Sequence, residues 1–179
     1  MKNNSITGWK IIAIIGCFCG IIYFWLVVLN IFRAEIFSAK SENSLNKQEF
    51  SLALEYANRA TRLNPNEPAY LRRRAKILLL FPLAGQKEKD LARKDIQKAI
   101  LLNPHNLATL RNSIPLMYQL SPQTFYRKLY NTYPSDAGIL VSLAYYQRKL
   151  RLEEDLQKTL SQIKKLRPDL LEWHPYLIN

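Results

Sequence analysis

Residues 53–65 read ALEYANRATRLNP, with small side chains at Ala53, Ala57 and Ala60 and a proline closing the run. Residues 91–104, LARKDIQKAILLNP, repeat this with Ala92, Ile96 and Ala99 in the same register before Pro104. A spacing of four then three residues puts each trio on one face of an α-helix. Proline lacks an N–H and clashes with the turn before it, so it ends the helix it follows. Farther on, Tyr126 and Leu129 lead to Pro134, and Leu156, Leu160 and Ile163 lead to Pro168. The four prolines are 39, 30 and 34 residues apart. A period near 34 residues has room for two helices per unit, and such units bury their apolar faces by stacking on one another. The pattern predicts an all-α chain of about four helix pairs, at 34–65, 68–104, 106–134 and 137–168.

These runs closely resemble the tetratricopeptide repeat family. Ala53, Ala57, Ala60 and Pro65 match the small residues and closing proline of its second helix, and Phe50 matches the aromatic that opens it. Ala75 and Ala144 match the small residue of its first helix, each ten residues past a proline, with Leu71 and Leu140 four positions earlier. The resemblance implies a right-handed α-solenoid whose first helices line a concave groove. It weakens at three places. The first unit's opening helix, Ala34 to about Leu45, is polar and poor in these residues, and it can run on directly from the segment before it. The second unit carries an extra loop, Phe81-Pro82-Leu83-Ala84-Gly85. In the third, Pro115 is expected to interrupt the first helix, and Ser121-Pro122 replaces the usual start of the second. Residues 169–179 are expected to fold back as a cap, with Leu170, Leu171, Trp173, Tyr176 and Leu177 covering the end of the array.

A narrower likeness runs from Trp25 through Ala34, Tyr56, Leu63-Asn64-Pro65-Asn66-Glu67-Pro68 and Tyr70. It resembles the C-terminal end of O-antigen ligase-like membrane proteins, where tetratricopeptide repeats follow the last membrane helix. The chain lacks that family's many spans and its periplasmic catalytic loop. The likeness therefore implies a stand-alone relative of the tail or an accessory subunit, not the transferase.

Ahead of the repeats, Ile11 to Phe32 contains one strongly polar residue, Asn30. Roughly 20 apolar residues match the thickness of a bilayer core at helical rise. Trp9 and Lys10 at one boundary and Arg33 at the other suit the headgroup zone. The span exceeds an ordinary signal-peptide core, and at the nearest candidate cleavage site, Ala39, Phe37 occupies the position that should be small. Ile14-Ile15-Gly16-Cys17 resembles a lipobox, but the residues after Cys17 stay apolar for three or four more turns. A retained transmembrane helix over 11–32 is the expectation, with residues 1–10 as a short tail before it. Its basic N-terminus favours the cytoplasm, which puts the repeats outside, as in a single-pass protein of a bacterial inner membrane. Gly16 and Gly20 form a small-xxx-small pair through which two anchors can pack as a homodimer.

The chain carries 26 Lys and Arg against 14 Asp and Glu, and only Lys2 and Lys10 precede the span. The part after it is therefore +10, which favours acidic partners, anionic lipid headgroups or nucleic acid. Both cysteines, Cys17 and Cys19, lie inside the span, so disulfide scaffolds, thiolate metal sites and cysteine nucleophiles are excluded from the remainder. His105 and His174 have no metal-ligand spacing, and no phosphate-cradling glycine loop or G-x-S-x-G elbow is present. Glu88, Asp90 and Asp95 alternate with Lys87, Lys89, Arg93 and Lys94, which reads as a solvated helix face. The expectation is a non-catalytic binder without cofactor or metal.

What the tetratricopeptide resemblance implies for partner binding is a groove. By register, Arg72 and Lys76 project into it from the second unit, with Arg73 and Arg74 extending the charge sideways, and Val141, Tyr145 and Arg148 enter from the fourth. Such cations suit an acidic protein or peptide. The alternative is an anionic polymer, either nucleic acid or an envelope polymer. Nucleic acid is disfavoured because the basic runs 72–74 and 87–98 contain no aromatic on which bases stack.

Overall fold

The computed structural model describes residues 4–82, 84–120 and 122–178. Every regular element among them is helical, and the chain divides into two compact units, Met1–Pro65 and Asn66–Asn179.

The first unit holds two helices, α1 (Asn4–Asn46) and α2 (Phe50–Leu63). α1 is 43 residues long and runs unbroken from the apolar segment into the polar one. Its most apolar stretch has a mean hydropathy of 2.7, and every residue from Ile12 to Arg33 is exposed. A helix apolar on all sides and covered on none has no core to face. By length and composition it is able to cross a membrane.

Beyond Arg33, α1 turns one face to α2. Ala34, Ser38, Ser41 and Ser44 are buried there, opposite the buried Ala53, Ala57 and Ala60 of α2. Small side chains on both helices allow close approach, and the Ser41 hydroxyl donates across the seam to the Ala53 carbonyl at 2.8 Å. The polar look of this helix therefore conceals a packing face. Serine is small enough for it, and its hydroxyl finds a backbone acceptor as it leaves water. Phe37 stacks on Tyr56 at 6.1 Å along the edge of the same seam.

The second unit contains α3 (Pro68–Leu80), α4 (Gln86–Leu102), α5 (Leu107–Tyr118), α6 (Pro122–Thr132), α7 (Ala137–Lys149), α8 (Glu153–Leu166), α9 (Asp169–Trp173) and a single 3-10 turn at Pro175–Leu177. α3 pairs with α4 and α7 with α8, while α5 touches α6 only lightly. α3, α5 and α7 also pack in succession, and α4 and α6 each rest on the odd-numbered helix that follows.

The joints between pairs recur. Glu67, Asn106 and Asp136 each stand two residues after a proline, and each carboxylate or amide oxygen caps the next helix. The acceptances are from the N–H of Ala69 (3.1 Å), Thr109 (2.8 Å) and Ile139 (2.7 Å). A side chain from the following even-numbered helix region then closes the proline turn behind it. Tyr133 donates to the Pro104 carbonyl, and Gln162 donates to that of Pro134 at 3.0 Å.

Two expectations need correction. Pro115 does not interrupt α5, which continues through it to Tyr118. The helix ends three residues later, so the missing N–H costs it one hydrogen bond near its end. Of the expected cap, Leu177 is fully buried in a cluster with Leu140, Ala144, Leu156 and Ile163, and Leu170 and Leu171 pack beside it. Trp173 remains exposed, and Tyr176, about half exposed, meets the Tyr145 ring edge-on. The extra loop between α3 and α4 is present at residues 81–85, with Leu83 outside the described residues.

Candidate functional site

The residues assigned to the groove separate into struts and free surface. Arg72 is half-buried, and its Nη1 donates to the Thr109 hydroxyl on α5 at 2.8 Å. Burial lowers its guanidinium pKa, and the nearby Glu67 carboxylate opposes that shift. Arg111, which stands one residue after Leu110 as Arg72 stands after Leu71, makes the equivalent reach. It pairs with Asp136, the cap of α7, at 3.0 Å. Its guanidinium lies over Gly138, where a methyl group would collide with it. Arg72 thus ties successive helices together, a role that register alone did not separate from ligand binding.

Arg74 and Asp95 depart further from the expectation of solvated charge. They form a two-pronged ion pair between α3 and α4, at 2.7 and 2.6 Å, with side chains 17% and 5% exposed. Asp95 sits between Ala92 and Ala99 on the buried face of α4. The charged residues that precede it, Arg93 and Lys94, hid it.

Lys76 is exposed, and Arg73 and Arg148 are half-buried. Val141 and Tyr145 pack against the C-terminal cluster of buried leucines. The Tyr145 ring meets Tyr146 at 4.9 Å and Tyr176 at 5.9 Å, both edge-on, and carries the Lys149 ammonium 4.6 Å from its centroid. Tyr146 continues the aromatic row to Tyr118 (5.2 Å) and Tyr126 (6.4 Å). Gly16 and Gly20 face open space on α1, with nothing within 4 Å of an added methyl.

Sequence reasoning missed two clefts that flank α6. The 30-residue interval between Pro104 and Pro134 was the available signal. It leaves α6 with 11 residues, against 17 in α4 and 14 in α8. On one side lies a cleft of about 480 Å³, floored by Leu110 and Met117 of α5 and walled by Ile100 of α4 and by Phe125 and Leu129 of α6. Its charged lining is wholly basic, from Arg93 and Lys128. On the other side, a polar cleft of about 440 Å³ is lined by Arg127 and Asp155, which are paired at 3.0 Å, and by Gln147. Gln147 is 2% exposed, and its Oε1 has no hydrogen-bond partner. It stands seven residues after Leu140, where Leu78 and Met117 stand after Leu71 and Leu110.

No protein-family model matches this chain, and no curated protein matches it. The functional reading therefore rests on the residues and their geometry.

Proposed function

We propose that the chain is a membrane-anchored, tetratricopeptide-like protein-interaction module. In this reading residues 11–32 cross a bacterial inner membrane, the helix pairs after them stack as a right-handed solenoid outside the cytoplasm, and they bind an acidic protein or peptide without catalysing a reaction. The partner belongs to an envelope, secretion or polysaccharide-synthesis complex, in keeping with the resemblance of residues 24–70 to the tail of O-antigen ligase-like proteins.

One observation carries the reading: the joint between helix pairs is built on a similar plan more than once. At Pro104 and at Pro134 a cap stands two residues later and an arginine of the preceding odd-numbered helix reaches the start of the next one: Arg72 bonds the Thr109 hydroxyl beside the cap Asn106, and Arg111 pairs with the cap Asp136 itself. Units joined by a repeated device extend in one direction and present a continuous face, the arrangement repeat proteins use for partners. The bare apolar helix supplies the tether.

The excess of positive charge favours a second reading, an anionic polymer as ligand. Against it, Arg74, Arg93, Arg111, Arg127 and Arg167 each pair with a carboxylate of the chain itself. The cations free to meet a polymer are mainly lysines.

A paired alkaline-phosphatase and fluorescent-protein fusion after Asn179, combined with a photo-crosslinking residue at exposed Lys76, tests the proposal. Active phosphatase, a dark fluorescent protein and one discrete protein adduct are expected. A fluorescent C-terminus overturns the orientation. Binding to polyanions that collapses steeply with added salt, without a protein adduct, would replace the partner reading with the polymer one.

A further inference from the structure

We propose that the cleft between α4, α5 and α6 is the docking site for an acidic amphipathic segment of the partner protein. The inference rests on the partner-binding reading and moves the site from the predicted groove to the other row of helices.

The cleft joins two chemistries. Its floor and walls are apolar, and Leu101 on its lip is 76% exposed, a large side chain left uncovered. An apolar cavity of this volume lies within the range of about 300–1,000 Å³ typical of ligand sites. The charged side chains of the rim are Arg93 on α4, whose Nη1 is already paired with Asp90, and Lys128 on α6, and no carboxylate lines the cleft. Lys128 forms no ion pair among the described residues.

Arg93 adds an independent observation. Its Nη1 is held by Asp90 at 2.8 Å, which fixes the guanidinium, while its Nε is buried without an acceptor. A buried N–H without a partner is costly, and it leaves Arg93 with hydrogen-bonding capacity beyond its pair with Asp90. The occupant therefore has apolar side chains flanked by acceptors.

Other occupants fit less well. Gln97, Thr124 and Thr132 stand among the apolar side chains and offer hydrogen bonds that a peptide can use and an acyl chain cannot. A second copy of this chain brings a strongly basic surface to an already basic rim. An acidic helix laying one apolar face into a groove meets both requirements.

The test uses the full chain in nanodiscs and a fluorescein-labelled synthetic 14-residue peptide with leucines at helical spacing and glutamates elsewhere. Two controls accompany it, one with lysine for every glutamate and one with serine for every leucine. Polarisation is expected to show binding of the acidic peptide alone. Lys128→Glu and Thr124→Trp, both at exposed positions, are expected to raise Kd at least tenfold with the helical spectrum and melting temperature kept. Lys165→Glu, at an exposed position on α8 outside the cleft, is expected to leave it within twofold. Binding of the lysine peptide to the Lys128→Glu protein completes the charge swap.

If Lys76→Glu weakens binding and Lys128→Glu does not, the cleft is wrong and the partner-binding reading survives. The cleft also fails if phosphatidylglycerol vesicles displace the peptide in a Lys128-dependent way, or if Thr124→Trp abolishes a dimer instead. Should no acidic peptide bind while crosslinking at Lys76 still captures a protein, the cleft alone is overturned. Failure of both measurements sinks the partner reading as well.

Discussion

Gln48 and Arg151 hold left-handed backbone, at φ 63° and 55°, although neither is glycine. Each follows the first helix of a pair, and the hydrogen bonds around each are the same. Glu49 N–H reaches Ser44 O and Gln48 N–H reaches Leu45 O, just as Leu152 N–H reaches Gln147 O and Arg151 N–H reaches Arg148 O. This is the six-to-one and five-to-two pattern that ends helices, and it favours glycine at the left-handed position. Gln48→Gly and Arg151→Gly are each expected to stabilise the protein by about 0.5 kcal/mol, since relief of the left-handed strain outweighs the entropy glycine adds to the unfolded chain. Melting of the solubilised protein measures this. Asp95 is opposite in sign. Asp95→Ala removes the two-pronged ion pair with the largely buried Arg74 and is expected to cost about 3 kcal/mol, whereas Arg74→Met with Asp95→Leu should be close to neutral. A denaturant series on both variants separates these outcomes. Tyr126 supplies a pH dependence. Burial first, then the neighbouring Tyr146 and Tyr118, raise its pKa well above the ordinary 10.0. The folded state keeps a proton that the unfolded chain releases, so stability is full below pH 10 and falls as pH rises beyond it. The decline approaches ~1.4 kcal/mol per pH unit. Tyr126→Phe is expected to flatten that decline between pH 10 and 12. It loses about 1 kcal/mol at neutral pH with the hydroxyl's bond to the Ile114 carbonyl.

Among the elements, the second helices were the most legible in the sequence. Ala53, Ala57 and Ala60, and Ala92, Ile96 and Ala99, announce a buried face because burial there is achieved by apolar residues at helical spacing. The packing face of α1 was not legible, because it is made with Ser38, Ser41 and Ser44, whose polarity suggests solvent. Size selects residues at that seam more than polarity does. Ser41→Ala is accordingly expected to cost about 1 kcal/mol, the loss of one side-chain hydrogen bond. Ser41→Leu drives a large side chain between helices matched to small ones and is expected to cost about 3 kcal/mol or to separate α1 from α2. A disulfide between cysteines placed at Phe37 and Tyr56, whose rings stack in the wild type, reports that separation by its failure to form. Asp95 was hidden for a related reason, since one buried carboxylate in a run of solvated charges carries no local mark. The clefts beside α6 were hidden because they depend on how far a short helix falls short of its neighbours. Of the candidate site, register found Arg72 and Tyr145 but could not tell a strut or a packed ring from a ligand contact.

In the membrane-anchored reading proposed above, the unbroken course of α1 has a geometric consequence. With residues 11–32 in the bilayer, Arg33 lies at the headgroups, and the helix then continues for 13 residues to Asn46, about 20 Å at helical rise. α2 returns antiparallel along it for 14 residues, about 21 Å, with Ser41 beside Ala53 and Phe37 beside Tyr56. The end of α2 is thereby brought back to the level at which α1 leaves the membrane. Arg62 belongs in the headgroup zone near Arg33, where long cationic side chains are favoured, and the turn at Lys47 stands about 20 Å above it. Nitroxide labels at positions 62 and 47 in nanodiscs distinguish this from a flexible tether. Position 62 is expected to be strongly relaxed by a paramagnetic lipid headgroup and position 47 hardly at all. Two glycines inserted after Arg33 add chain but weaken the helix locally, and are expected to blur the difference by letting the α1–α2 hairpin tilt. Equal relaxation of the two positions in the unaltered protein would mean that α1 breaks at the membrane surface and that the anchor does not set the orientation of the first helix pair.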